Sequence, residues 1–294
     1  MYQIIKSALT AVFICMLGIC LVGTVYGRDL PEIKKSGIIR HIGVPYANFV
    51  TGSGDGMDVE LIQLFADHIG VKYEYVKASW GSVIGDLTGK KVKAMGDDIK
   101  ILGDVPVKGD LIANGLTVLA WRQKIVDYST PTFPTQVWMV ARADSGMHPI
   151  NPGKNIENDI IMVKSKLMGL SLLGKEKTCL DPKLYQIKET GAKIKLFSFG
   201  LNELAPAIIN GEAEATLLDV PDALIALNKW PGKIKVIGPV SASQEMGVGF
   251  AKTSILLKAE FNRFLDKCKL DGTYLGLVQK YYPAVFDYYP EFFK

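Results

Sequence analysis

Short apolar runs alternate with amphipathic helical stretches along most of the chain, and this alternation predicts an α/β architecture. In the first half, the spacing of apolar residues predicts strands over 38–44 and 71–76, on either side of a helix over 58–69. Asp58 is expected to cap that helix and Gly70 to end it. The same rules predict three more short elements, a helix over 80–87 and strands over 111–113 and 125–128.

A similar series of elements follows a predicted strand over residues 137–141. Within it, Asp181 and Pro182 are residue types favoured at the cap and first position of a helix. The other predicted elements are helix 155–168, strand 170–173, strand 193–197, helix 201–210, strand 214–218, a helix ending near 226, strands 234–237 and 246–251, and helices 254–270 and 273–281. Residues 92–110 are charged and contain three glycines, which predicts an inserted loop or hairpin.

One arginine, Arg122, stands between two of the predicted strands in the segment over residues 111–131. The first strand stops at a turn containing Gly115, where freed backbone amides are donors without partners and a ligand can approach the main chain closely. Thr117 adds a hydroxyl, and the arginine fork matches the two oxygens of a carboxylate. The residues alone leave two readings open, an anion clamp or a solvated surface arginine beside Trp121.

This segment resembles the signature of bacterial periplasmic solute-binding proteins of family 3, the polar amino-acid uptake type. The positions that match are Gly115, Thr117, Arg122, Ser129 and Pro131, whereas Tyr128 and Thr132 replace a phenylalanine and a tyrosine of the family pattern. Matches to the family continue in order along the chain, at Tyr46-Ala-Asn-Phe49, Gly56-Met-Asp58, Trp80, Asp219 and Asp271-Gly-Thr-Tyr274. The resemblance therefore covers nearly the whole chain after its amino-terminal segment.

The resemblance implies an α/β, two-lobed periplasmic-binding-protein fold of type II. Each lobe is expected to be a mixed sheet flanked by helices, with two crossing segments as the hinge. The first lobe is then discontinuous, with residues 28–136 and 242–294, and the second lobe takes residues 137–241. A body of this kind closes like a clamshell on a ligand held between the lobes.

The resemblance also implies a function, that of the substrate-binding component of an ABC uptake system for an α-amino acid or similar small carboxylate. The ligand-binding residues expected from it are Arg122, Thr117, Gly115 and Thr178 for the carboxylate, Asp219 for the ammonium, and Tyr46 and Trp80 as walls. We expect no catalytic residue, no cofactor and no metal. The expected partners are a small ligand and a membrane permease, with no nucleic acid, and the chain is expected to be a monomer.

Two features compete with these assignments. Asp219 precedes Pro221 and fits the N-cap of a helix equally well. Glu176-Lys177 stand where the family usually has glycine and a hydroxyl residue, which weakens the expected role of Thr178.

The alternative function is a cyclohexadienyl or arogenate dehydratase-like enzyme on the same fold. Such an enzyme needs an acid in the cleft, and Glu203 or Asp219 are the candidates.

Composition and the amino-terminal segment predict the cellular compartment of the protein. The first 27 residues predict a secretory signal peptide and hence a periplasmic protein, with an uncleaved membrane anchor as the alternative. The formal charge of +4 is small for 294 residues and gives no footprint for nucleic acid. Cys179 and Cys268 remain after export, and their spacing leaves both a disulfide and two buried thiols open.

Overall fold

A computed structural model of the chain describes residues 27–293. The predicted signal peptide over residues 1–27 therefore lies outside the described residues, except for Gly27. Within the part that is described, every helix is too short or too polar to cross a lipid bilayer.

Strands and helices alternate through the described residues, as the apolar pattern predicts. The strands are β1 Ile38–Gly43, β2 Lys72–Lys77, β3 Lys90–Met95, β4 Asp98–Asp104, β5 Leu111–Ile112, β6 Val126–Tyr128, β7 Phe133–Thr135, β8 Val137–Arg142, β9 Ser171–Gly174, β10 Lys193–Leu196, β11 Ala215–Asp219, β12 Ile234–Pro239, β13 Gln244–Met246 and β14 Gly249–Ala251. The α-helices are α1 Leu30–Ser36, α2 Met57–Ile69, α3 Val83–Thr88, α4 Ala120–Gln123, α5 Ile156–Ser165, α6 Leu204–Ile209, α7 Val220–Lys229, α8 Ile255–Leu270, α9 Thr273–Tyr281 and α10 Val285–Tyr288.

Two five-stranded mixed sheets form the centres of two lobes. The first sheet has the order β2-β1-β5-β14-β6, with β1 parallel to β2 and β5, and β14 antiparallel to its two neighbours. The second has the order β10-β9-β11-β8-β12, with β9 parallel to its neighbours and β8 antiparallel to β11 and β12. The expected two-lobed α/β fold, with a mixed sheet flanked by helices in each lobe, is confirmed.

The chain runs between the two sheets through a small antiparallel ribbon made of β7 and β13. Phe133 pairs with Met246 and Thr135 with Gln244 in this ribbon. The predicted single strand over 246–251 is wrong, because β13 ends at Met246 and the next strand begins at Gly249 in the first sheet. The carboxyl-terminal segment also reaches the second sheet, where the Tyr288 ring lies 5.7 Å from that of Trp138.

Helix α2 corrects the expectation for Asp58. The helix begins one residue earlier, at Met57, and its cap position is Gly56, whose φ of 135° suits a residue without a Cβ atom. The Asp58 side chain is buried instead and accepts a hydrogen bond from the amide of Gly115 at 2.7 Å. The end of the helix is as predicted, because Gly70 adopts the left-handed conformation.

The inserted segment after α3 is a hairpin of β3 and β4, one of the two forms that the sequence predicts. Much of it is exposed, including the apolar side chains of Met95, Ile101 and Leu102. The predicted helix start at Asp181-Pro182 is confirmed, but it opens a single 3-10 turn, Pro182–Tyr185, instead of an α-helix. Cys179 and Cys268 are free, buried thiols, so the disulfide alternative is wrong for this structure.

Candidate functional site

Arg122 lies inside the protein, on the one-turn helix α4 that follows β5 in the chain. Its side chain is 1% exposed, and Nη1 donates to the carbonyl oxygen of Thr117 at 2.9 Å. The guanidinium carbon lies 5.3 Å from the ring centre of Trp121 and 5.8 Å from that of Trp80. Burial between aromatic rings rules out the alternative of a solvated surface arginine.

Within the described part of the chain, the buried guanidinium has no carboxylate partner. None of the ion pairs found among residues 27–293 includes Arg122. In the same part of the chain, Nε of Arg122 and Nε1 of Trp80 are buried donors without acceptors. Because buried charges and donors are normally paired, these groups indicate a place for an anionic ligand.

Asp219 supplies a carboxylate from the second lobe. It ends β11 and stands at the cap position of α7, and its side chain is fully buried. One of its oxygens accepts from the hydroxyl of Tyr46, in the first lobe, and the other from the thiol of Cys179, whose Sγ lies 3.3 Å away. Burial raises the pKa of Asp219 from 3.8 to about 6, although both donors act in the opposite direction.

Asp222 lies one helical turn beyond Asp219 and is also buried. One oxygen of its carboxylate is buried without a hydrogen-bond partner among the described residues. Burial, and then the charge of Asp219, raise the pKa of Asp222 well above its ordinary value. The site therefore contains two buried carboxyl groups whose ionisations are coupled.

The aromatic residues expected as walls lie together at the boundary between the lobes. Tyr46 is fully buried, with its ring edge-on to Trp80 at 5.8 Å and stacked on Phe49 at 6.1 Å. Next to it, the amide of Ala47 donates to the side-chain oxygen of Asn202 in the second lobe at 2.8 Å. Among the described residues, the Tyr46–Asp219 and Ala47–Asn202 hydrogen bonds join the two lobes beside the site.

The structure places Gly115 and Thr178 near this site but gives each a partner in its own lobe. The amide of Gly115 donates to Asp58, so the donor that we expected to hold a carboxylate is already bonded. The hydroxyl of Thr178 donates to the carbonyl of Lys175 and accepts from the amide of Leu180, which fixes its own turn. Their hydrogen bonds therefore fix the backbone of these two turns. The hydroxyl of Thr117 is buried next to the Cys179 thiol and has no hydrogen-bond partner among the described residues.

The sequence profile of the bacterial extracellular solute-binding proteins, family 3, matches residues 107–284. This chain belongs to that family.

Among curated proteins, this family-3 protein is similar to the L-cystine-binding protein TcyJ of Escherichia coli K12, with 21% identity over 283 residues, covering 92% of the chain and 95% of TcyJ. It is also similar to the membrane-bound lytic murein transglycosylase F of Desulfosudis oleivorans, with 24% identity over 238 residues. That match covers 79% of the chain but only 46% of the transglycosylase, so the chain spans about half the length of this relative.

Two solved structures share the fold of this family-3 protein. The holo form of ArgBP from T. maritima superposes with a TM-score of 0.63 at 24% identity, over 81% of this chain and 93% of ArgBP. The ancestral amino acid-binding protein AncCDT-1, a precursor of cyclohexadienyl dehydratase, superposes with a TM-score of 0.65 at 22% identity, over 86% of this chain and 98% of that protein.

Three residues of this candidate site have no role in it by the sequence reasoning. The spacing of Cys179 and Cys268 leaves a disulfide or two buried thiols open and gives Cys179 no ligand-binding role, although it follows Thr178 in the same predicted turn. Asp222 lies three residues beyond Asp219, a spacing that places both on one side of a helix start. Tyr185 donates its hydroxyl to the carbonyl of Cys179, and no feature of the sequence marks that contact.

Proposed function

We propose that this family-3 protein is the periplasmic substrate-binding component of an ABC uptake system, and that it binds an α-amino acid or a similar small carboxylate. The observation that carries the proposal is the buried guanidinium of Arg122, which has no ion-pair partner among the described residues. A buried charge without a partner costs several kcal/mol, even after the protein relaxes around it. A ligand carboxylate would supply the missing partner.

In this proposal the two charged ends of an amino acid contact opposite lobes. Arg122 and Thr117 hold the carboxylate, and Asp219 accepts the ammonium. Tyr46 and Trp80 form walls around the ligand side chain. Gly115 and Thr178 act indirectly, because their hydrogen bonds to Asp58 and Lys175 fix the two turns that carry the ligand-binding groups.

Closure of the two lobes around the ligand is the proposed binding step. We assign residues 28–136 and 242–294 to one lobe and 137–241 to the other. The hydrogen bonds from Tyr46 to Asp219 and from Ala47 to Asn202 support closure, since they join the lobes next to the site. A ligand that contacts both lobes would shift the equilibrium further toward the closed form.

Export is the remaining part of the proposal. The amino-terminal segment over residues 1–27 would direct secretion, and the family to which the chain belongs consists of extracellular proteins. The mature protein would then act as a monomer that delivers its ligand to a membrane permease.

A thermal-shift screen of the mature protein tests the proposal. The ligands are the amino acids, together with 2-oxo and 2-hydroxy acids, and a ligand that binds only the folded state raises the melting temperature. We expect at least one α-amino acid to raise it in the wild-type protein and not in the Arg122→Ala variant. If no carboxylic acid raises the melting temperature, the proposal is wrong.

A dehydratase-like enzyme is the second candidate, and one observation favours it. The pKa of Asp219, raised by burial to about 6, allows this carboxyl group to hold a proton in mildly acidic conditions. Glu203, the other acid considered, is exposed and therefore a poor candidate. Turnover of prephenate by the purified protein would support the enzyme, whereas stoichiometric binding without turnover supports the solute-binding role.

A further inference from the structure

We infer that Tyr46 and Cys179 set how strongly the site discriminates between an amino acid and the carboxylate that lacks its ammonium group. The inference rests on the proposed function, because it concerns the same site. It predicts that the wild-type protein accepts 2-oxo acids as well as amino acids, and that loss of the Cys179 thiol makes it selective for amino acids.

The first step is the difference between the two charged groups of the site. Nε of Arg122 is buried without an acceptor among the described residues, so a ligand carboxylate would supply the missing hydrogen-bond partner. Asp219 already has its hydrogen-bond partners, because one oxygen accepts from Tyr46 and the other from Cys179. An incoming ammonium must therefore displace or share donors that are already in place.

The second step concerns what happens when the ammonium is absent. A site built around a hydrogen bond to a ligand rejects the analogue that lacks the group by a factor of about 10⁴ to 10⁵, because its own buried polar group is left unpaired. Here the Asp219 carboxylate keeps both protein donors when a 2-oxo acid binds. The penalty is therefore smaller, and we expect the wild-type protein to prefer the amino acid by less than about a hundredfold.

The third step is that Cys179 acts as a neutral donor. Burial and the nearby charge of Asp219 raise the pKa of the thiol well above its ordinary value, so the proton stays on the sulfur. The hydroxyl of Tyr185 donates to the carbonyl of Cys179 and fixes the backbone at this residue. Besides Tyr46, the other titratable or charged groups around Asp219 and Cys179 are Asp222, Arg122, Tyr185 and Tyr282.

The experiment compares Cys179→Ala with Cys179→Ser, since the serine hydroxyl keeps a donor near Asp219 and the alanine methyl does not. Isothermal titration calorimetry measures Kd for four matched pairs: alanine and pyruvate, leucine and 4-methyl-2-oxopentanoate, phenylalanine and phenylpyruvate, and glutamate and 2-oxoglutarate. The quantity of interest is the ratio of the two Kd values within a pair. A general defect in folding or closure weakens both members and leaves this ratio unchanged.

We expect the preference for the amino acid to rise about five- to tenfold in Cys179→Ala, slightly less than for an ordinary hydrogen bond to a charged group, because a thiol is a weak donor. In Cys179→Ser the ratio should remain within about threefold of wild type. Equal ratios in the two variants, or a wild-type preference above about a hundredfold, would overturn the inference while leaving the proposed function intact. If none of the eight acids binds to the wild-type protein, the ratio is measured for the amino acid found in the thermal-shift screen and its own 2-oxo acid. If that screen finds no ligand, the proposed function fails and this inference with it.

Discussion

The hydroxyl of Tyr46 in one lobe donates to the carboxylate of Asp219 in the other, and both side chains are fully buried. The two residues belong to different lobes, so in the proposed closure this bond would form only when the lobes come together. It would compete with a ligand for the same carboxylate. The closed form without ligand would then be stabilised by a bond that the ligand replaces.

Tyr46→Phe should open the ligand-free protein. The variant loses a hydrogen bond to a charged acceptor across the lobes, worth about 1.5–3 kcal/mol in favour of the closed form. The radius of gyration from small-angle X-ray scattering should increase without ligand. Tyr75→Phe is the matched control, because the Tyr75 hydroxyl is buried without a hydrogen-bond partner among the described residues. An unchanged radius in Tyr46→Phe would mean that other contacts hold the lobes together.

Arg122→Met should abolish the ligand-induced thermal shift without destabilising the ligand-free protein. Methionine fills similar space between the rings of Trp80 and Trp121, and the change removes a buried charge that lacks a counter-ion. The free energy of unfolding in urea, without ligand, should stay the same or rise by about 1–2 kcal/mol. Arg142→Met, at a half-buried residue paired with Asp144, should leave the ligand-induced shift unchanged. Loss of folding in Arg122→Met would show that the arginine is structural.

Gly115→Ala should be strongly destabilising and should also weaken ligand binding. Gly115 has a φ of 62°, and a Cβ atom there would overlap the ring of Phe49. Gly37 has a similar φ of 70° but open space around its Cα atom, so Gly37→Ala isolates the backbone strain. We expect a loss of about 1 kcal/mol for Gly37→Ala and roughly 2–5 kcal/mol for Gly115→Ala, measured by urea denaturation. Equal losses in the two variants would mean that Phe49 moves aside freely.

Asp58 should make stability depend on pH. Burial raises the pKa of this carboxyl group from 3.8 to about 7, against the effect of the Gly115 amide. Because the folded protein binds this proton more tightly than the unfolded chain does, the Asp58 contribution is most favourable below pH 3.8 and is lost as pH rises toward 7. Asp58→Asn keeps an acceptor for the amide and removes the charge.

The measurement for Asp58 is the free energy of unfolding of both proteins across this range. The difference between Asp58→Asn and wild type should shift in favour of the variant by roughly 2–4 kcal/mol between pH 4 and about 7. A difference that stays constant with pH would show that Asp58 has an ordinary pKa in the folded protein.

The order of elements and the location of Arg122 in a donor-rich turn could be predicted from the sequence, because both depend on local patterns. Apolar spacing marks the strands, and the turn at Gly115 with Arg122 beyond it marks a donor-rich segment. The role of Asp58 could not be predicted this way. A carboxylate in the first turn of a helix has the same local signature whether it faces solvent or a distant backbone amide.

Local sequence patterns could not predict the contacts between the lobes for the same reason. Tyr46, Cys179 and Asp219 belong to three separate segments, and only the packing of one lobe on the other brings them together. The break between β13 and β14 is a similar case. A continuous apolar run over 246–251 gives no sign that its two ends belong to different sheets.

In the proposed closure, the ribbon of β7 and β13 would limit how the two lobes move. Because Phe133 and Thr135 are hydrogen-bonded in register to Met246 and Gln244, neither connection can slide past the other without breaking the ladder. Twisting the ribbon keeps those bonds. Rotation about its long axis therefore costs less energy than sliding one strand along the other. Open and closed forms would then interconvert along a single angle, and the rate at which the protein captures a ligand would depend on the torsional stiffness of two three-residue strands.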